Sequence, residues 1–378
     1  MKSITARFNL DPVAEHRLSG VGGYSKRLFE ALSQHPGFQT EGFYFNFRNK
    51  RSQPQTTLTN YRALNFPLKI YAKLDSYGLR FPFDLFLKPV DVTFFPNFAT
   101  WRTAKSELSI TTVHDLTYLY FPELVEAKNL AHLRRVVPRT LKHADLILTV
   151  SQAVKNEIIK EFHINPDKIL ALPIPVSDLF RDFNSKTTTA QLPAELQNQK
   201  YISFVGNFEP RKNLPTLIQA YLQLPKTLRQ DYKLVIAGSQ SWSNQQAQAL
   251  IDGANQNQPT ILQLSGLSDE EIANLLHHSS LHILPSLYEG FGMPIVEAMT
   301  VETPVIASDI PVLHESSGGT AIYFDPHSTN DLSQKITQVL TDASLQQRLI
   351  KQGKTFADSL SWQDNADKIH QAVTQLLQ

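Results

Sequence analysis

Short runs rich in Val, Ile, Leu and Phe recur along the chain, and between them apolar residues fall at every third or fourth position. The first pattern predicts buried strands and the second predicts helices with one face on a core. In the first half strands are expected near residues 3–8, 39–47, 91–96, 107–113 and 145–150. Helices are expected over 22–34 and 124–142, and another after Ser151. In the second half the pattern predicts strands near 201–206, 232–238, 260–264, 281–285 and 304–308. Helices there fit 213–223, 244–255, 269–277, 293–301 and 330–357. Strand alternating with helix marks parallel sheets covered on both faces. Each half therefore reads as a doubly wound α/β unit. Binding loops in such units lie beyond the carboxyl ends of the strands.

The chain has 378 residues, enough for two domains and long for one. Leu172-Pro173-Ile174-Pro175 interrupts regular structure, and the stretch from Asn184 to Gln199 is polar, as linkers are. The expected domains are 1–180 and 198–360. The charge is uneven. Residues 1–180 hold 23 Lys+Arg against 16 Asp+Glu, and residues 181–378 hold 13 against 19. A basic first half suits an anionic partner such as a phospholipid surface or a phosphorylated acceptor, or it is plain scatter between domains. The net charge of +1 gives no reason to expect nucleic acid. Cysteine is absent, which excludes a disulfide framework and thiolate metal sites. The first residues lack a signal-peptide apolar run, and no apolar stretch reaches the ~18 residues of a membrane span. A cytoplasmic protein is expected, with the inner face of the membrane as a second location. Between 61 and 90, Tyr61, Tyr71, Tyr77, Phe81, Phe83 and Phe86 interleave with Arg62, Lys69, Lys73, Arg80 and Lys88. Core aromatics explain this pattern, and so does a docking element for a membrane or acceptor.

The densest chemistry lies in Glu289-Gly290-Phe291-Gly292-Met293-Pro294-Ile295-Val296-Glu297. Gly290 and Gly292 let the backbone approach a ligand, and Pro294 pre-sets a first helical turn. The helix that follows turns its unpaired N–H groups toward the loop, which suits an anion such as a diphosphate. Two carboxylates beside an anion need a purpose, and accepting hydrogen bonds from sugar and ribose hydroxyls supplies one. Arg211 and Lys212 precede another helix. Cations there are unfavourable unless an anion lies between them and the helix.

The Glu-x7-Glu pattern resembles that of the family-4 retaining glycosyltransferases. So do Phe204-Val205-Gly206-Asn207-Phe208-Glu209-Pro210-Arg211-Lys212-Asn213-Leu214, Leu234-Val235-Ile236-Ala237-Gly238 and Leu281-His282-Ile283-Leu284-Pro285-Ser286. Gly20-Val21-Gly22-Gly23-Tyr24, Val113-His114-Asp115-Leu116 and Thr149-Val150-Ser151 fall in that family's order. The resemblance runs from about residue 18 to Trp362. It implies a GT-B fold, with two Rossmann-like domains facing each other across a cleft, and a last helix, about 360–378, packing back on the first domain. It implies that Arg211 and Lys212 hold the donor diphosphate, that Glu297 binds ribose, and that Glu289 contacts hydroxyls of the transferred sugar. Gly206, Gly292, Met293 and Pro294 would line the donor. His114 would reach the sugar or the scissile region, and Gly22 and Gly23, in the turn before the first helix, would lie near the diphosphate and acceptor.

No Asp-x-Asp occurs in the chain, so leaving-group stabilisation without a metal is expected, and no cofactor beyond the nucleoside-diphosphate sugar. The resemblance implies retention through a front-face reaction in which the leaving phosphate oxygen takes the acceptor's proton; double displacement remains open. The expected activity is hexosyl transfer, GDP-mannose being the first choice of donor, to a glycan or lipid-linked acceptor in polysaccharide assembly. A GT-B epimerase or phosphorylase, and a non-catalytic partner of a transferase, are the alternatives. A dinucleotide oxidoreductase fits poorly, because no Gly-x-Gly-x-x-Gly follows the first strand. Three departures from the family stand out. Gly23 occupies a position where relatives often carry Arg, Val301-Glu302 replaces a helix-ending glycine, and Ser317-Gly318-Gly319 replaces a common Ala-Gly-Asp.

Overall fold

The computed structural model describes all residues except 1, 2, 16, 17, 50, 66, 68–73, 75–80, 184–187, 189, 240–244, 257 and 258. Tyr71, Tyr77, Lys69, Lys73 and Arg80 of the aromatic–basic stretch, and part of the polar stretch after Asn184, lie outside the described residues. The chain divides into two compact units. Met1–Tyr120, Val125–Ile174 and Ser361–Gln378 form the first; Phe121–Leu124 and Pro175–Leu360 form the second.

The first unit is built on strands β1 (Ile4–Asn9), β2 (Phe38–Phe45), β3 (Tyr61–Leu64), β4 (Val90–Phe95), β5 (Ser106–Val113), β6 (Leu146–Thr149) and β7 (Ile169–Ala171). They lie in the order β3-β2-β1-β4-β5-β6-β7, all parallel. Ala6 pairs with Val92 and Phe8 with Phe94 where β1 meets β4, the point at which the order reverses. Strands covered on both faces need apolar residues at successive positions. Phe8, Phe94, Ile110 and Ile147 are accordingly buried.

The second unit repeats the plan with β8 (Lys200–Val205), β9 (Tyr232–Ala237), β10 (Ile261–Leu264), β11 (Leu281–Leu284), β12 (Val305–Ser308) and β13 (Ile322–Phe324). Their order is β10-β9-β8-β11-β12-β13, again parallel throughout. Here the reversal lies between β8 and β11.

Strands β3, β7 and β13 were not anticipated. All three are sheet edges of three or four residues, and Tyr61, Leu64, Leu170, Ile322 and Tyr323 in them are only partly buried. A short edge strand needs no continuous apolar run, so its signal is weak. The expected helix over 330–357 is two helices, Thr329–Thr341 and Ala343–Ser359. Asp342 separates them in an extended conformation, and its side chain accepts the Leu345 N–H at 2.9 Å, capping the second helix. The first helix spans Gly20–Gln34, so Gly22 and Gly23 sit in its first turn, not in a turn before it. Ser19 makes this possible by accepting the Gly22 N–H at 3.2 Å as N-cap. After the helix Met293–Thr300, Glu302 adopts a left-handed φ of 66°, the conformation a glycine would take there without strain.

The last helix, Trp362–Leu376, belongs to the first unit. Ser361 caps it, Asn365 donates to the Pro173 carbonyl at 2.8 Å, and Trp362 packs on Tyr24 with ring centroids 5.8 Å apart.

Candidate active site

In the second unit the two loops at the sheet reversal rise side by side, because β8 and β11 are neighbours. The loop after β8 turns at Gly206, then makes one 3-10 turn over Pro210–Lys212. Asn213, left-handed at φ 55°, closes that turn and opens the helix Leu214–Leu222. Asn tolerates this conformation better than most residues. The loop after β11 carries Ser286 to Gly292. Leu287 N–H donates to the Arg211 carbonyl at 2.7 Å and ties the two loops together.

The side chains then converge. Lys212 Nζ lies 2.5 Å from Glu289 Oε1, and Arg211 Nη1 lies 2.9 Å from Glu289 Oε2. Ser286 donates its hydroxyl to Oε1 at 2.7 Å. Arg211 also donates from Nε to Glu209 at 2.7 Å and from Nη1 to the Tyr288 carbonyl at 3.2 Å. Glu289 is only 7% exposed. Burial pushes its carboxyl up, but Lys212 and Arg211 pull it down further, to about 2. It is ionised at any working pH and is therefore a hydrogen-bond acceptor and charge anchor, not an acid catalyst. The anion that the sequence requires beside Arg211 and Lys212 is present within the protein itself.

Gly292 is the N-cap of the helix Met293–Thr300, with φ 94°. A Cβ there would meet Leu313 Cδ2 at 2.7 Å, so glycine is needed both for conformation and for space. Pro294 sits in the first turn, and no side chain caps this helix start. Met293 is partly buried beside it. Glu297 projects from the same helix. Burial first, then Asp269, push its carboxyl up to about 7, with Lys212 opposing. Arg211, Lys212, Glu289 and Glu297 thus form one electrostatic group with Gly206 and Gly292 at the bends of its two loops.

Sequence reasoning did not assign Glu209, Ser286 or His282 a role, although all three lie in the motifs quoted above. His282 is buried in β11, its Nδ1 3.2 Å from Ser203 Oγ. Burial, then the Lys212 charge, pull it down to about 3, so it stays neutral behind the lysine.

The remaining expected residues lie in the first unit. His114 follows β5, and its Nε2 is 2.8 Å from the Pro96 carbonyl. Tyr24 meets it edge-on at 4.8 Å and Phe98 at 5.8 Å. Burial lowers its pKa against the opposing effects of Pro96 and Asp115, which favours neutral imidazole with Nε2–H donating. A Cβ on Gly22 would strike the Pro12 carbonyl at 2.7 Å, whereas one on Gly23 would meet nothing within 4 Å. A cavity of about 1040 Å³ opens at the carboxyl ends of β1, β2 and β4; Ser19, Val21 and Phe98 line it, whereas His114, Gly22 and Gly23 do not. Phe45, Phe47, Phe98 and Leu133 form apolar walls, and Arg51 lines it while paired with Asp11.

Two parallel doubly wound sheets, one carrying a charged cradle at its reversal point, make a two-domain α/β architecture with a binding site at a strand-order switch. Family models give the class. "Glycosyltransferase Family 4" matches residues 19–178 and "Glycosyl transferases group 1" matches residues 186–356. The chain belongs to the family-4 glycosyltransferases and is an enzyme of that kind, with the GT-B fold. The O-antigen chain mannosyltransferase B of Escherichia coli is 28% identical over 372 residues, 94% of this chain and 96% of that protein. The O-antigen chain mannosyltransferase RfbU of Salmonella typhimurium is 29% identical over 60% of each. Among solved structures, WaaG, a glycosyltransferase involved in lipopolysaccharide biosynthesis, superposes with a TM-score of 0.68 at 16% identity, covering 98% of this chain and 99% of that one. The sucrose-phosphate synthase of Thermosynechococcus elongatus gives 0.67 at 19% identity over 99% of both chains.

Proposed function

We propose that the protein is a retaining, metal-independent hexosyltransferase of polysaccharide assembly that moves mannose from GDP-mannose to a glycan acceptor. The observation that carries this reading is the grip of Arg211 and Lys212 on Glu289 beside a helix start that no side chain caps. The donor diphosphate meets both cations and the positive end of the helix Met293–Thr300, which together stabilise charge as the leaving group departs. Cations positioned in this way, although Glu209 and Glu289 offset their charge, support a reaction without a metal. Glu289, already ionised and oriented, accepts hydrogen bonds from the sugar hydroxyls, and Glu297 accepts from the ribose.

In the reaction the bond from the sugar's anomeric carbon to the β-phosphate oxygen breaks. The acceptor hydroxyl oxygen bonds to the same face of that carbon, and its proton passes to the leaving phosphate oxygen. The retaining course rests on the family resemblance, and mannose rests on the names of the two O-antigen enzymes. The acceptor is assigned to the cavity of the first unit. Its aromatic walls suit the apolar faces of sugar rings, and its arginine is already neutralised by Asp11.

A thermal-shift panel of GDP-, UDP-, ADP- and dTDP-sugars tests the donor. A ligand at 100 times its dissociation constant adds about 2.7 kcal/mol of stability, so GDP-mannose should stand clear of the others. A larger shift with another nucleotide, or none with any, overturns the assignment. Product analysis with a mannose-terminated oligosaccharide then separates transfer from epimerisation, which needs no acceptor.

A further inference from the structure

A tight turn at Asp84–Leu87 in the first unit places large apolar side chains where turns usually carry Gly, Asn, Asp or Ser. Leu87 N–H donates to the Asp84 carbonyl at 2.9 Å, so Leu85 and Phe86 occupy the two central positions. Leu85 is 47% exposed, Phe86 99%, and Phe81, just before the turn, 55%.

The base of the turn is fixed. Phe83 is buried and stacks on Phe43 with centroids 5.0 Å apart, and Leu87 packs against the same aromatic cluster. Asp84, fully buried, accepts the N–H groups of Ala104 at 2.7 Å and Lys105 at 2.9 Å. Arg7 neutralises it from 3.6 Å and donates to the Lys88 carbonyl. Such anchoring holds the apolar tip outward. Folding gains nothing from the exposure, since a polar tip would suit the same turn equally well.

The surroundings of the tip are basic. Lys88 follows it directly, and Phe83 N–H donates to the Arg102 carbonyl. Lys88, Arg102 and Lys105 are all exposed. The acids nearby are Asp84, cancelled by Arg7, Asp91, which accepts from Thr5, and Glu107 and Asp145, which line one pocket with Arg102 and leave Lys88 and Lys105 as the cations next to the tip.

We propose that the turn Asp84–Leu87 is a membrane-docking wedge, with Leu85 and Phe86 entering the interfacial layer of an anionic bilayer and Lys88 and Lys105 contacting its headgroups. The pairing of an apolar tip with a cationic collar selects an anionic lipid surface over a purely apolar partner. No helix among the described residues is long and apolar enough to cross a membrane. The proposal stands independently of the donor assignment.

Co-sedimentation of the full chain with phosphatidylglycerol–phosphatidylcholine vesicles, and with phosphatidylcholine alone, tests it. Binding to the anionic vesicles, weakened by salt, is expected. The double variant Leu85→Ser/Phe86→Ser should lower the partition coefficient about tenfold, and Lys88→Glu and Lys105→Glu should lower it about fivefold each. Melting temperature and donor hydrolysis should stay unchanged, because none of these side chains lies in the core or the site. Failure of the wild type to sediment with anionic vesicles overturns the proposal. So does equal binding by the serine variant. A concentration-dependent dimer abolished by that variant would assign the tip to a second copy of the chain instead.

Discussion

The two units share one plan, a parallel sheet reversing between its first and fourth strands, yet their rims are opposites. The rim of the second unit is a compact knot of charge in which Glu289 satisfies two cations at once. The rim of the first is a wide cavity walled largely by Phe45, Phe47, Phe98 and Leu133, with its arginine already spent on Asp11. A common scaffold therefore fixes where a site lies and leaves its chemistry to the loops. The charged rim suits a diphosphate, whose recognition needs few but strong contacts. The apolar rim suits a neutral glycan, whose recognition spreads over area.

Breaking the charged rim should have the largest effect. Glu289→Ala leaves the buried Lys212 without its carboxylate, while Arg211 keeps Glu209, and should cost about 3 kcal/mol in urea unfolding, with transfer falling at least 10²-fold. An ordinary midpoint with normal turnover would remove Glu289 from the account. Next comes the loop that shapes this rim. Gly292→Ala must hold a Cβ at φ 94° against Leu313, a loss of about 2–4 kcal/mol. A thermal melt within a degree of wild type would show that the loop relaxes freely.

Glu297 gives a pH signature, and burial raises the Asp11 carboxyl of the first unit in the same direction against the pull of Arg51. Its folded pKa, about 7, lies above the ordinary carboxylate value of 4.5, so the fold holds this proton more tightly than the unfolded chain does. Its contribution to stability is complete below pH 4.5 and is lost as pH rises through 7. Allowing for its partial exposure, the loss amounts to about 1–2 kcal/mol, and Glu297→Gln should flatten the wild-type slope over that window. Glu289, held at about 2, acts in the opposite sense: its contribution is present above pH 4.5 and disappears as pH falls toward 2. The smallest effect belongs to the apolar rim. Phe47→Ala removes one ring face worth about 1 kcal/mol, so KM for a glycan acceptor should rise about fivefold while donor binding is unchanged. A change in donor affinity instead would blur the division between the rims.

The same contrast explains what the sequence revealed. The charged rim comes from two contiguous runs, around 206–213 and 286–297, so its residue types and spacing are visible along the chain. The cavity draws on Asp11, Phe47, Asn97 and Asn129, segments with no shared period, and nothing in their local sequence brings them together. Strand positions were legible wherever a strand is buried on both faces, and illegible at the edges β3, β7 and β13. Within the charged rim, sequence reasoning gave the bases to phosphate and the acids to hydroxyls. It did not foresee that Glu289 would bind both cations, because motif spacing says which groups share a loop and not which of them touch.

Calorimetric titration of GDP into wild-type protein and the Lys212→Met variant is the most direct test. Met keeps an unbranched chain as far as Cε, removes the ammonium group and leaves Glu289 paired with Arg211. Affinity for GDP should fall at least tenfold in the variant, with circular dichroism unchanged. Equal affinity in the two proteins would mean that Lys212 does not hold the diphosphate and would contradict the central claim.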